Sequence, residues 1–209
     1  MTHSHCYIAQ VLRTRRDVVA LSPLVLGGPS ASKSGDAKID FDPWLYSGYM
    51  FETFPEDIDE FAAMRAVPRE ESSDAWHVLR DVPESRVKAA ICDLLRQDAR
   101  PDWGGEQSDH FSPHVHLSGR RTTAAFLLKG PSRFRPMTAA HLGKNGDQIY
   151  RLANEPADLL VVQHSHLVTE PVRATLRQFA LQPYSSRRWC ILDGPDTYRL
   201  LVAAGHLAR

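Results

Sequence analysis

The sequence predicts an α/β domain with a mixed central sheet flanked by helices, preceded by a smaller α+β extension. Three observations lead there. From residue 84 onward, segments with helical spacing alternate with short apolar runs. Two of those runs flank a tight turn and so form an antiparallel hairpin inside an otherwise alternating chain, a mixture that argues for a mixed sheet. The 209 residues are 43% hydrophobic and 24% charged, the composition of an ordinary globular protein rather than a fibrous or disordered one.

The elements follow in order. Residues 7–12 read as a strand and residues 18–26 as a second apolar run. Gly27-Gly28-Pro29-Ser30 and the polar residues up to Gly35 form a turn-rich connection. Residues 41–64 mix aromatics with acids, fit neither the helical nor the strand period, and end in a short helix after Pro55. A Glu- and Ser-rich loop at 68–74 marks a soft boundary, giving an extension at 1–75 and a core domain at 76–209. Val87, Ile91, Leu94 and Leu95 stand at helical spacing behind Pro83, so 84–97 is a helix. Strands are expected at 115–117 and 122–129 on either side of Ser118-Gly119-Arg120. Then come a helix at 147–152, a buried strand at 157–163, a helix at 171–180, a strand at 188–193 and a closing helix at 196–204.

Several function classes drop out. No apolar run approaches the roughly 20 residues that span a bilayer, so no membrane partner is expected. The first residues lack the apolar core and cleavage site of a secretory leader. Cys6, Cys92 and Cys190 are far apart and odd in number, which suits a reducing, cytoplasmic setting better than a disulfide framework.

The formal net charge of zero hides an asymmetry. Residues 36–74 hold eleven acids against three bases, whereas residues 120–209 hold thirteen bases against six acids. Twenty of the 25 basic residues are Arg, whose forked guanidinium suits phosphate and carboxylate alike. A polyanion partner for the basic half and a plain solvated surface fit this pattern equally. The acidic 36–74 segment is expected either to dock on a protein partner or to cover the chain's own basic half.

The hairpin concentrates the chemistry. Side chains alternate along a strand, so Ala125, Leu127 and Lys129 share one face and Phe126 and Leu128 the other. A lysine ending an apolar strand needs a partner or solvent. Asp109, at the opening of the first strand, is placed by the hairpin to be that partner, and Gln148 on the next helix is within reach of the same spot.

This layout resembles the PD-(D/E)xK superfamily of restriction-endonuclease-like nucleases, over roughly residues 84–165. The resemblance makes Asp109 the first acid, Leu127-Leu128-Lys129 the (D/E)xK position and Gln148 the helical Gln. It implies a restriction-endonuclease-like fold and Mg²⁺-assisted hydrolysis of DNA, with Mn²⁺ as a substitute, in restriction, repair or phage defence. Asp109 would hold the metal and Lys129 would orient the attacking water. Leu127 departs from the pattern, since the second metal-binding carboxylate belongs there. Glu106 and Asp147 are the acids placed to replace it. The alternative is a silent member of the fold that binds nucleic acid or a protein. Arg133, Arg135, Lys144 and Arg151 would line a phosphate-facing rim or simply be solvated. A small nuclease making double-strand breaks would also be expected to form a homodimer.

Other motifs lead nowhere as firm. His110, His114 and His116 cluster, but without a zinc-protease spacing they read as ordinary histidines. His164, at a strand end near the same site, is the one retained as an auxiliary residue. Gly143-Lys144-Asn145-Gly146-Asp147 lacks the P-loop pattern, and Ser165-His166 lacks a nucleophile elbow.

Overall fold

The computed structural model describes residues 6–15, 18–27, 51–99, 107–132, 134–143, 147–182 and 185–208. The chain divides into two compact units, Met1–Met50 and Phe51–Arg209. In the first, β1 (Cys6–Arg15) pairs antiparallel with β2 (Val18–Gly27). Pro23, which has no amide hydrogen to donate, pairs with Ala9 beside a register shift, where a proline is tolerated.

The second unit is built on a four-stranded mixed sheet in the order β3-β4-β5-β8. β3 (His110–Leu117) and β4 (Arg120–Lys129) form the expected hairpin. Its turn, Ser118-Gly119, has positive φ at both positions (51° and 74°), the geometry that matches the twist of flanking strands. The Asp59 carboxylate accepts both turn amides, from Ser118 at 3.1 Å and Gly119 at 2.7 Å. β5 (Leu159–His164) lies parallel to β4, and β8 (Arg188–Leu192) lies parallel to β5. Between the last two, β6 (Leu181–Gln182) and β7 (Ser185–Ser186) make a small separate ladder.

Helices cover both faces of the sheet. α1 (Ser73–Trp76), α2 (Glu84–Leu95) and α5 (Gly194–Ala203) lie on one side. There Trp76, Ile91 and Leu200 pack with Phe126, Leu128 and Val161. α3 (Asp147–Asn154) and α4 (Glu170–Ala180) lie on the other, where Ile149, Leu152 and Leu176 pack with Leu127, Leu160 and Val162. Alternation along β4 therefore sorts its side chains as the pattern requires. Every residue of β5 is buried, which explains the apolar run at 159–162, and the polar Gln163 and His164 at its end are buried as well.

Three expectations need correcting. The hairpin's first strand begins at His110 rather than 115, because Phe111 and Ser112 continue the ladder against Ala125 and Ala124. Residues 51–75 belong to the core unit rather than to the extension. The reason is packing: Ile58, Phe61 and Met64 are fully buried in the same cluster as Ile91 and Leu200. That segment winds as 3-10 turns at Pro55–Asp57 and Asp59–Ala66, whose three-residue period neither the helix nor the strand template detects.

Several acids of this segment are engaged within the unit. Glu52 pairs with Arg173 at 3.6 Å, Glu56 with Arg199 at 3.5 Å, and Glu60 with His116 at 2.7 Å. The acids at 36–42 lie outside the described residues. No helix among the described residues is long and apolar enough to cross a membrane.

Candidate functional site

In α/β sheets ligands favour the carboxyl ends of the parallel strands. Here that edge carries the end of β4 and the end of β5, with Lys129 and His164 paired side by side in the register. The backbone around Lys129 is held from three directions. The Leu128 amide donates to Asp109 Oδ2 at 2.6 Å, the Lys129 amide to Gln163 Oε1 at 3.2 Å, and the Gly130 amide to Glu84 Oε2 at 2.8 Å. Gln163 is itself fixed, donating to Thr197 Oγ1 at 3.1 Å. The Lys129 carbonyl accepts the Ser165 amide at 3.3 Å.

Gly130 is part of this arrangement. A Cβ there would stand 3.0 Å from Glu84 Cβ and 3.2 Å from the Glu84 nitrogen, so a side chain would push the start of α2 away.

Lys129 borders a cleft of about 580 Å³, lined also by Glu84, Ser132, Arg135, His141 and His164. His164 is buried at the cleft floor, with Nδ1 3.3 Å from the Lys129 carbonyl and Nε2 3.1 Å from the Arg135 carbonyl. Burial pushes its pKa down, and the charges of His141 and Lys129 push the same way, against the pull of the two carbonyls. His164 is therefore neutral at pH 7. His141, with its ring centroid 6.0 Å from that of His164, faces donors instead. Its Nδ1 lies 3.0 Å from the Thr138 nitrogen and its Nε2 3.3 Å from Arg135 Nε, and a neutral ring accepts at one of these two nitrogens. The walls thus offer two permanent cations and two imidazoles against one carboxylate, a field suited to an anion.

The residues expected from the sequence fall into three groups. Lys129, Arg135 and His164 meet in the cleft, while Asp109 stands behind its wall on the Leu128 amide. Asp147, Gln148 and Arg151 do not line it. Asp147 is exposed at the start of α3 and pairs with Arg151 one turn on, at 3.4 Å. Gln148 is half-buried, its Oε1 buried without a hydrogen-bond partner. Glu106, Arg133 and Lys144 lie outside the described residues.

Leu127 is 4% exposed and packs among Met137, Leu142 and Ile149, so the position of the missing acid is apolar core. Among the described residues no three His, Cys, Asp or Glu side chains converge as a metal site. The histidines of β3 diverge: His110 meets Gln97 Oε1 at 3.1 Å, while His116 meets Glu60.

Sequence reasoning missed Glu84 and His141. An acid in the first turn of a helix after Pro83 is normally a response to the helix dipole, and nothing local shows that it reaches Gly130. His141 lies in a Pro- and Gly-rich loop without periodicity. Compared with protein-family models, curated protein sequences and solved structures, the chain matches none.

Proposed function

We propose that this chain is a restriction-endonuclease-like domain that takes the phosphodiester backbone of nucleic acid, DNA first, into the cleft at Lys129. The supporting observation is the fixed backbone at Lys129: three successive amides are held by side chains from the residue before β3, from β5 and from α2. A backbone fixed in this way sets the point from which the lysine side chain leaves the strand end, so the scaffold does not have to rearrange on binding. Arg135 and the two imidazoles supply further donors to a phosphate.

A second reading, Mg²⁺-dependent hydrolysis, has its own observation in favour. The carboxylates of Asp109 and Glu84 sit on the amides either side of Lys129. The described donors do not by themselves make a magnesium site, since Mg²⁺ wants near-octahedral oxygen ligands and Leu127 offers none. Glu106 is the residue that would complete such a set.

One experiment addresses both readings. Purified protein and a Lys129→Ala variant are titrated against a labelled DNA fragment at several salt concentrations. They are also incubated with supercoiled plasmid and Mg²⁺ or Mn²⁺, beside an EDTA control. Salt-sensitive binding that weakens in the variant is expected. Metal-dependent nicking lost in the variant would establish hydrolysis. A folded protein that does not bind the DNA and does not nick the plasmid would refute the assignment.

A further inference from the structure

Beside the cleft lies a group of rings that the phosphate reading does not use. Trp76 ends α1, His77 and Arg80 follow it, Phe134 lies on the loop after β4, and His166 on the turn after β5. The Phe134 ring centroid is 5.9 Å from Trp76, 5.2 Å from His77 and 4.9 Å from His166. Trp76 and His166 meet edge-on at 4.9 Å. The Arg80 guanidinium stands 5.7 Å from the Phe134 centroid.

The cluster has an inner and an outer part. Trp76 is buried and anchors it, Phe134 and His166 are half-buried, and His77 and Arg80 are exposed. The large hydrophobics exposed among the described residues are Val78, Tyr150 and Leu167. Two of these, Val78 and Leu167, directly follow His77 and His166 in the chain. Burial and the neighbouring His164 and His77 push the His166 pKa down, so it presents a neutral ring at pH 7.

Position supplies the identity of the ligand. Phe134 directly precedes Arg135, and His166 lies two residues beyond His164, so the loops that carry these two rings also supply lining residues to a cleft whose groups suit a phosphate. A phosphate site whose lining loops also carry aromatic rings, with an arginine in the same cluster, matches the recognition of single strands, in which the backbone follows the charge and bases stack on rings.

We propose that His77, Phe134 and His166, backed by Trp76, form a stacking surface for an unpaired base of a single strand whose phosphate occupies the Lys129 cleft. This rests on the phosphate reading above and narrows it. A base inside a duplex is already stacked on its neighbours and is not free to use this surface.

The test compares three labelled ligands of equal length by fluorescence anisotropy: an oligothymidylate, an abasic oligomer with the same backbone, and a blunt duplex. The oligothymidylate is expected to bind the wild type roughly five- to 150-fold more tightly than the abasic oligomer, the range expected for stacking of one base. Phe134→Ala and the exposed-site variant His77→Ala should bring oligothymidylate binding down toward the abasic level. Phe134→Tyr, which keeps a ring, should restore it. Lys129→Ala should weaken both single-stranded ligands together. Thermal melts identify any variant that has lost its fold, and His77→Ala keeps the test valid if Phe134→Ala is one of them.

Equal affinity for abasic and base-containing strands would overturn the stacking surface while leaving the phosphate cleft intact. So would indifference to both Phe134→Ala and His77→Ala, or a preference for duplex. If none of the three ligands binds, the phosphate reading fails and the stacking surface fails with it.

Discussion

At the carboxyl end of β4, Lys129 and Arg135 border an open cleft with Glu84 as the acid beside them. At the carboxyl end of β8, Asp193 is 1% exposed and accepts Arg69 Nη2 at 2.9 and 3.0 Å, with Arg173 at 3.4 Å. Asp196, one turn into α5, takes Arg69 at 3.2 Å and Arg199 at 3.0 Å. The same residue types produce two different devices. Around Asp193 each guanidinium meets a buried carboxylate. Burial works against the Arg69 charge, yet Asp193 and Asp196 outweigh it and raise its pKa. Around Lys129 the backbone is fixed and the cations exceed the acids. The first arrangement joins residues 52–69 to α4 and α5, and the second leaves charge for a ligand. Burial and counter-charge separate a clamp from an open, positively charged cleft, and residue type alone does not.

Breaking the clamp has the largest expected effect. Asp193→Asn removes the charge facing Arg69 and Arg173 while keeping an oxygen that can cap the Asp196 amide. Loss of one partner from a buried pair costs about 3–5 kcal/mol. The urea midpoint should fall accordingly, and added salt should change the loss little. A midpoint within experimental error of wild type would show that the cluster is not a clamp. Leu127→Glu should cost a similar or slightly smaller amount, about 2–4 kcal/mol, because it places a carboxylate among Met137, Leu142 and Ile149. A stable Leu127→Glu protein would mean that this position can host the acid the resemblance calls for.

Lys129→Ala should show the opposite profile. Its backbone holders accept from main-chain amides and remain in place, so stability should change by less than about 1 kcal/mol. Nucleic-acid affinity should fall roughly tenfold, and the salt dependence of binding should lose about one unit of slope. Lost stability with unchanged affinity would reverse the assignments of the two regions.

What the sequence disclosed follows the range of each signal. The hairpin and the alternating helices and strands of 84–204 were readable because their periods are local. The sorting of Leu127 and Lys129 from Phe126 and Leu128 follows from pleating alone. Residues 51–66 were not readable, because Ile58, Phe61 and Met64 are spaced for 3-10 turns and their burial depends on Ile91 and Leu200 far along the chain. The site was legible at Lys129, a charge at the end of an apolar strand. It was not legible at Glu84 or His141, whose roles arise only where α2 and the loop after β4 meet that strand end. Asp193 and Asp196 read as ordinary acids at a helix start, and only the fold brings Arg69, Arg173 and Arg199 to them.

The smallest expected effect separates the two regions by pH. His164 is held neutral by burial, with a folded pKa below the unperturbed value of about 6.5. As pH falls below that value the unfolded chain takes up a proton that the folded chain resists. The stability linked to His164 is therefore complete above pH 6.5 and is lost as pH falls toward the folded pKa. His166 is shifted in the same direction and shares the loss. Each imidazole can add at most about 1.4 kcal/mol per pH unit to the slope. The guanidiniums around Asp193 keep their charge throughout this range and add no slope of their own. His164→Gln, which keeps a donor for one carbonyl, should flatten urea midpoints measured between pH 6.5 and 5, and adding His166→Gln should flatten them further. An unchanged slope in the double variant would place the acid sensitivity outside the cleft. A flattened slope alongside an intact Asp193 clamp would locate it at the end of β5, where the neutral imidazoles stand.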